Sequence, residues 1–85
     1  MGREVTYTKA ALKALVRMPA NASKLIRSKV TQYAAAPDAL ANNVTTMKGG
    51  SGYVRMRVGD WRVIMDADTM TVLVIDIGPR GGIYD

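Results

Sequence analysis

Seven arginines and four tyrosines carry most of the chemistry open to this 85-residue sequence, because it contains neither histidine nor cysteine. Without histidine it lacks the usual general base at neutral pH and the commonest metal ligand. Without cysteine it has no disulfide, no thiolate nucleophile and no thiolate metal site. Catalysis would have to use arginine, lysine, tyrosine or carboxylates. The residues of interest are Arg55, Arg57 and Arg62 around a Gly59-Asp60 pair, then Arg80 and Tyr84, with Lys48 and Tyr53 upstream. A guanidinium fork matches paired phosphate oxygens and keeps its charge. A phenol stacks on a nucleobase, or takes up a proton if nearby cations lower its pKa from about 10.

Spacing decides whether the arginines act together. Tyr53–Val58 alternates, Gly59-Asp60 reads as a two-residue turn, and Trp61–Asp66 returns. Val58 should then face Trp61, Arg57 face Arg62, Met56 face Val63 and Arg55 face Ile64. Val54, Met56, Val58, Trp61, Val63 and Met65 share an apolar face suited to packing against helices. Tyr53, Arg55, Arg57, Arg62, Ile64 and Asp66 share the other. Like charges directly opposite are unfavourable, so Arg57 facing Arg62 asks for an anion. Asp66 is one internal candidate, and an RNA phosphate is the external one. A solvated face with arginine stems covering Ile64 is the plainer alternative. Trp61 falls on the helix side and reads as core, as do Tyr7 and Tyr33.

Twelve Lys/Arg against seven Asp/Glu give a net charge of +5. The excess favours an anionic partner: a phosphate backbone, an acidic protein or a membrane surface. The most apolar run, Thr71 to Ile77, is too short to span a bilayer and contains Asp76. Met1-Gly2-Arg3-Glu4 leads directly into a strand-like stretch, so a soluble cytoplasmic protein is expected, with no membrane partner. The length fits a single domain over 1–85, and no repeat or linker interrupts it.

The elements that must position these residues follow from periodicity. Arg3–Tyr7 reads as a strand. Thr8 caps a helix from Lys9 whose apolar stripe is Ala11, Leu12, Leu15 and Val16, ended by Pro19. Asn21 caps a second helix, Ala22 to about Ala36, with Ala22, Ile26, Val30 and Tyr33 at helical spacing, Leu25 beside them, and Pro37 as the stop. Asp38–Val44 reads as a polar connection, and Gly49, Gly50 and Gly52 mark a loop. After the hairpin, Ala67–Thr69 turns and Met70–Ile77 forms the last long strand. The expected fold class is α+β. It has an N-terminal β-strand, a two-helix antiparallel hairpin and a three-stranded antiparallel meander, with the helices packed on one face of the sheet.

The stretch Gly52-Tyr53-Val54-Arg55-Met56-Arg57-Val58-Gly59-Asp60-Trp61-Arg62-Val63-Ile64 resembles the central strand pair of the RelE/ParE toxin superfamily. Lys48-Gly49 resembles the Lys-Gly pair that often precedes it. Val74 to Tyr84 resembles the last strand, basic segment and terminal tyrosine of the RelE-like branch. Where family members often carry His-Arg-Arg-Glu, this chain has Pro79-Arg80-Gly81-Gly82.

The resemblance implies the toxin of a type II toxin–antitoxin system, a metal-independent endoribonuclease that cleaves mRNA, commonly on the ribosome. It needs no cofactor. It implies catalytic roles for Arg62, Arg80 and Tyr84, and RNA binding by Lys48, Tyr53, Arg55 and Arg57. It also implies a cognate antitoxin, through which alone promoter DNA would be bound. Two alternatives stay open. One is a ParE-like toxin that inhibits DNA gyrase by protein binding, and the other is an antitoxin-binding module with degraded catalysis.

Overall fold

The computed structural model describes residues 3–46, 53–67 and 70–79. The chain order is β1 (Glu4–Tyr7), α1 (Lys9–Arg17), α2 (Ala20–Ala35), a 3-10 segment (Pro37–Asn43), β2 (Val44–Thr46), β3 (Tyr53–Val58), β4 (Trp61–Ala67) and β5 (Thr71–Pro79). The strands form one sheet in the order β1-β5-β4-β3-β2. β1 runs parallel to β5, and the other pairings are antiparallel. The α+β class and the hairpin register, from Val58↔Trp61 to Arg55↔Ile64, stand as the sequence indicates.

One face of the sheet meets the helices. α2 contributes Ile26, Val30, Tyr33 and Ala34, and α1 contributes Ala11 and Leu15. They pack with Met56, Val58, Val63, Met65, Val72, Val74 and Ile77 in one core, with half-buried Trp61, Val54 and Tyr7 at its border. The α1 stripe is narrower than expected: Leu12 and Val16 face outward, and the buried row is Ala11, Leu15 and the following Met18. Leu25 of α2 is also largely exposed.

Thr8 starts α1 as the sequence predicts. Its hydroxyl oxygen accepts from the N–H of Ala11 at 3.2 Å, satisfying an otherwise orphaned helix donor. α2 starts differently. Pro19 stands at its cap position, and Asn21 lies inside the first turn, where its Oδ1 accepts from the N–H of Ala22 at 3.0 Å. A proline ahead of the first turn gives up no helical hydrogen bond and presets φ, but it offers no side-chain acceptor to the first-turn N–H groups.

Two other differences concern the sheet. Val44–Thr46 is a strand, not the end of a polar connection, and residues 37–43 form a 3-10 segment. Three residues are too few for periodicity to reveal a strand, and Asn42-Asn43 masks its start. In β5 the register slips, since Ile64 pairs with Asp76 while Met65 pairs with Val74. Ile75 is the extra residue of a bulge. Its carbonyl accepts the Thr8 hydroxyl, and the N–H of Ile77 donates to Asp76 Oδ1 at 2.8 Å. These bonds satisfy the Ile75 carbonyl and the Ile77 N–H, and the first ties α1 to the sheet. No helix among the described residues is long and apolar enough to cross a membrane.

Candidate nucleic-acid interface

The sheet face away from the helices carries the arginines in rows set by the register. One row runs Thr45, Arg55, Ile64, Asp76 across β2 to β5. The next places Arg57 beside Arg62 and Arg62 beside Gly78, which brings no side chain to the row. Arg57 is exposed, whereas Arg55 and Arg62 are half-buried. Ile64 is only 1 % exposed although it lies on this face, outside the helix-side core. It forms an apolar floor between Arg55 and Asp76 in the register, as aliphatic arginine stems allow.

Arg62 is held by the hairpin itself. Its Nη1 donates to the carbonyls of Gly59 at 3.2 Å and Trp61 at 3.0 Å. Gly59 has φ +58°, a left-handed conformation that glycine adopts without a Cβ penalty. Asn43 closes the adjoining corner, its Nδ2 donating to the carbonyl of Arg57 at 3.3 Å.

Arg55, Arg57 and Arg62 line one concavity of about 160 Å³ together with Asn42, Asn43 and Thr45. All six lining residues are polar and none is acidic. Such a hollow suits an oxyanion, offering charge-assisted donors from several directions. Asp66 does not sit between Arg57 and Arg62. It faces Tyr53, beyond the Arg55–Ile64 pair, so an internal counter-ion for the arginine pair is not supplied there. Tyr53 is half-buried on the arginine face but does not line the concavity. The sequence reading missed Asn42, Asn43 and Thr45. The β-branched run Val44-Thr45-Thr46 was the one local signal for them.

Lys48, Arg80 and Tyr84 lie outside the described residues. The last described residue, Pro79, faces Trp61, next to Arg62 in the chain.

A family model described as ParE toxin of type II toxin-antitoxin system, parDE, matches residues 5–84. No curated protein matches the sequence. Among solved structures, the archaeal RelE–RelB complex from Pyrococcus horikoshii OT3 is similar with a TM-score of 0.80 and 23 % identity, covering 96 % of this chain and 99 % of that one. The RelB–RelE antitoxin–toxin complex from Methanococcus jannaschii gives 0.69 and 23 %, over 94 % and 95 % of the two chains. A free mutant of E. coli toxin RelE gives 0.75 and 17 %, over 93 % and 84 %. With the helix-backed sheet and a family match over nearly its whole length, the chain belongs to the RelE/ParE superfamily of toxin–antitoxin toxins.

Proposed function

We propose that this toxin is a metal-independent endoribonuclease that cleaves mRNA, with the ribosome as its place of work. The observation that carries the reading is the concavity where Arg55, Arg57 and Arg62 meet Asn42, Asn43 and Thr45 with no acidic residue among them. Ribose brings its own nucleophile, the 2′-hydroxyl, so the protein need only align it, assist proton transfer and stabilise a pentavalent phosphorus. Attack on the adjacent phosphorus gives a 2′,3′-cyclic phosphate and frees the 5′-oxygen, which leaves as a hydroxyl.

In this reading Arg62 and Arg80 contact the scissile phosphate. Arg55, Arg57 and Lys48 hold the flanking backbone, and Tyr53 offers a face for a base. Tyr84 serves as base or stacking residue. The carbonyls of Gly59 and Trp61 fix the Arg62 fork in advance, so less freedom is lost when phosphate binds. DNA would bind the same charges but lacks the nucleophile.

A cognate antitoxin is the stable protein partner in this reading. Support comes from solved relatives described as antitoxin–toxin complexes. Acidic residues on the antitoxin would complement the arginine face. Inhibition of DNA gyrase by protein binding is the second reading, and the ParE family match favours it.

A translating extract separates the two. Wild-type protein should produce new mRNA cuts with 2′,3′-cyclic ends that vanish in Arg80→Ala. Tyr84→Phe separates the hydroxyl from the ring, since a phenylalanine variant that cuts at the wild-type rate excludes Tyr84 as the base. Arrested DNA supercoiling with intact RNA would select gyrase and overturn the nuclease reading.

A further inference from the structure

A second, smaller hollow of about 110 Å³ lies around the edge of β3 from the arginine concavity. It is lined by residues of three elements: Leu25 and Lys29 of α2, Leu40 and Asn43 of the 3-10 segment, and Met56 to Gly59 at the end of β3. The two hollows share Asn43 and Arg57. Their partition exists because β2 pairs with β3 only as far as Val44↔Met56. Beyond that point the 3-10 segment takes over the edge, pinned by the Asn43–Arg57 hydrogen bond.

The chemistry of the second hollow differs from that of the first. Leu40, Met56 and Val58 are buried apolar walls, and Leu25 adds an apolar lip that is 47 % exposed. Lys29 and Arg57 supply the cations, and none of the lining residues is acidic. An apolar wall with a cationic rim fits a flat base joined to a phosphate.

We propose that this hollow is a subsite for the nucleotide adjoining the cleaved bond, its base against Leu25 and its outer phosphate held by Lys29. The proposal rests on the RNA reading above, and it makes the strand cross the Asn43–Arg57 ridge. The arginine concavity then acts on one phosphate while Lys29 takes the next phosphate along the chain. RNA of several nucleotides, not a single phosphodiester, is therefore the ligand the surface is built for.

Binding of uncleavable 2′-O-methyl RNA tests this, using a dinucleotide with one phosphate and a pentanucleotide with four, titrated by NMR. Lys29→Gln removes the charge and keeps the inner part of the aliphatic stem, and an unchanged melting temperature will show that the fold is intact. It should weaken pentanucleotide binding about three- to tenfold and reduce the salt slope by about 0.7, one phosphate contact on a single strand. Dinucleotide binding should be unchanged. Leu25→Ala should weaken the pentanucleotide without altering the salt slope. Arg62→Gln should weaken both ligands.

Equal loss for both ligands in Lys29→Gln, or no loss for either, overturns the subsite while leaving the arginine site standing. No effect of Arg62→Gln on either ligand overturns the RNA reading itself. Lost antitoxin binding with unchanged pentanucleotide binding in Lys29→Gln would assign the hollow to protein contact instead.

Discussion

Arg57 and Arg62 stand directly opposite each other across the β3–β4 ladder, and Arg62 turns its Nη1 to the carbonyls of Gly59 and Trp61. The register sets two cationic side chains on one concavity, and the hairpin's own carbonyls temper the charge of Arg62. Such an arrangement trades stability for readiness to bind an anion.

Arg57→Gln should therefore stabilise the free protein while weakening RNA binding. The expected gain is about 0.2–1 kcal/mol at low ionic strength, shrinking as salt rises. Urea denaturation at two salt concentrations checks it. A variant less stable than wild type at low salt would show that the pair is not repulsive.

Arg62→Lys keeps the charge and loses the planar fork. A lysine ammonium cannot reproduce the fork's pairing with phosphate oxygens. RNA cleavage should fall by about 10²-fold, the scale of losing one transition-state donor. Single-turnover cleavage of a defined RNA measures this, with the melting temperature as the control for hairpin integrity.

Gly59→Ala tests the turn that aims Arg62. A Cβ at this position meets nothing within 4 Å, so crowding is not the issue. The cost comes from φ +58° alone and should be about 1–2 kcal/mol. Gly59→Asn should cost less, because asparagine visits that region more readily. Equal losses for the two variants in chemical denaturation would argue for a different cause.

Thr8 joins the start of α1 to the β5 bulge through its hydroxyl. Thr8→Ala removes a helix cap and leaves the Ile75 carbonyl without that donor, for an expected loss of about 1–3 kcal/mol. Thr8→Ser should recover most of it. The denaturation midpoint of the three proteins decides.

Tyr7 packs against the core border, and burial raises its phenol pKa, partly offset by the Arg27 guanidinium 5.4 Å from its ring centre. The folded protein therefore holds the phenolic proton more tightly than the unfolded chain does. Stability should be unaffected by this group below about pH 10 and should fall as pH rises through and beyond that value. Tyr7→Phe should flatten this alkaline loss, and Arg27→Gln should deepen it. Thermal melts between pH 8 and 11 provide the measurement.

The hairpin was legible because two signals agreed. Alternating apolar residues fixed the faces and Gly59-Asp60 fixed the register, so the proximity of Arg55, Arg57 and Arg62 followed from the sequence. Asn42, Asn43 and Thr45 were not legible as lining residues, since their position depends on a three-residue strand that exists only by pairing with β3. Leu12 and Val16 show the limit of helical periodicity: an apolar residue near the stripe faces inward only if another element covers it, and here none of the described core does. Ile64 shows the converse, an apolar residue correctly placed among the arginines yet almost fully covered.

The parallel pairing of β1 with β5 joins residues 4–7 to residues 71–74. During synthesis β1 must wait for β5 before it finds its neighbour. Pairings so distant in sequence make assembly slow compared with helix formation. The β3–β4 hairpin, by contrast, is local and can form early. The arginine-bearing ribbon thus depends on neighbours in sequence, whereas the edge that β1 completes depends on the two ends of the fold meeting.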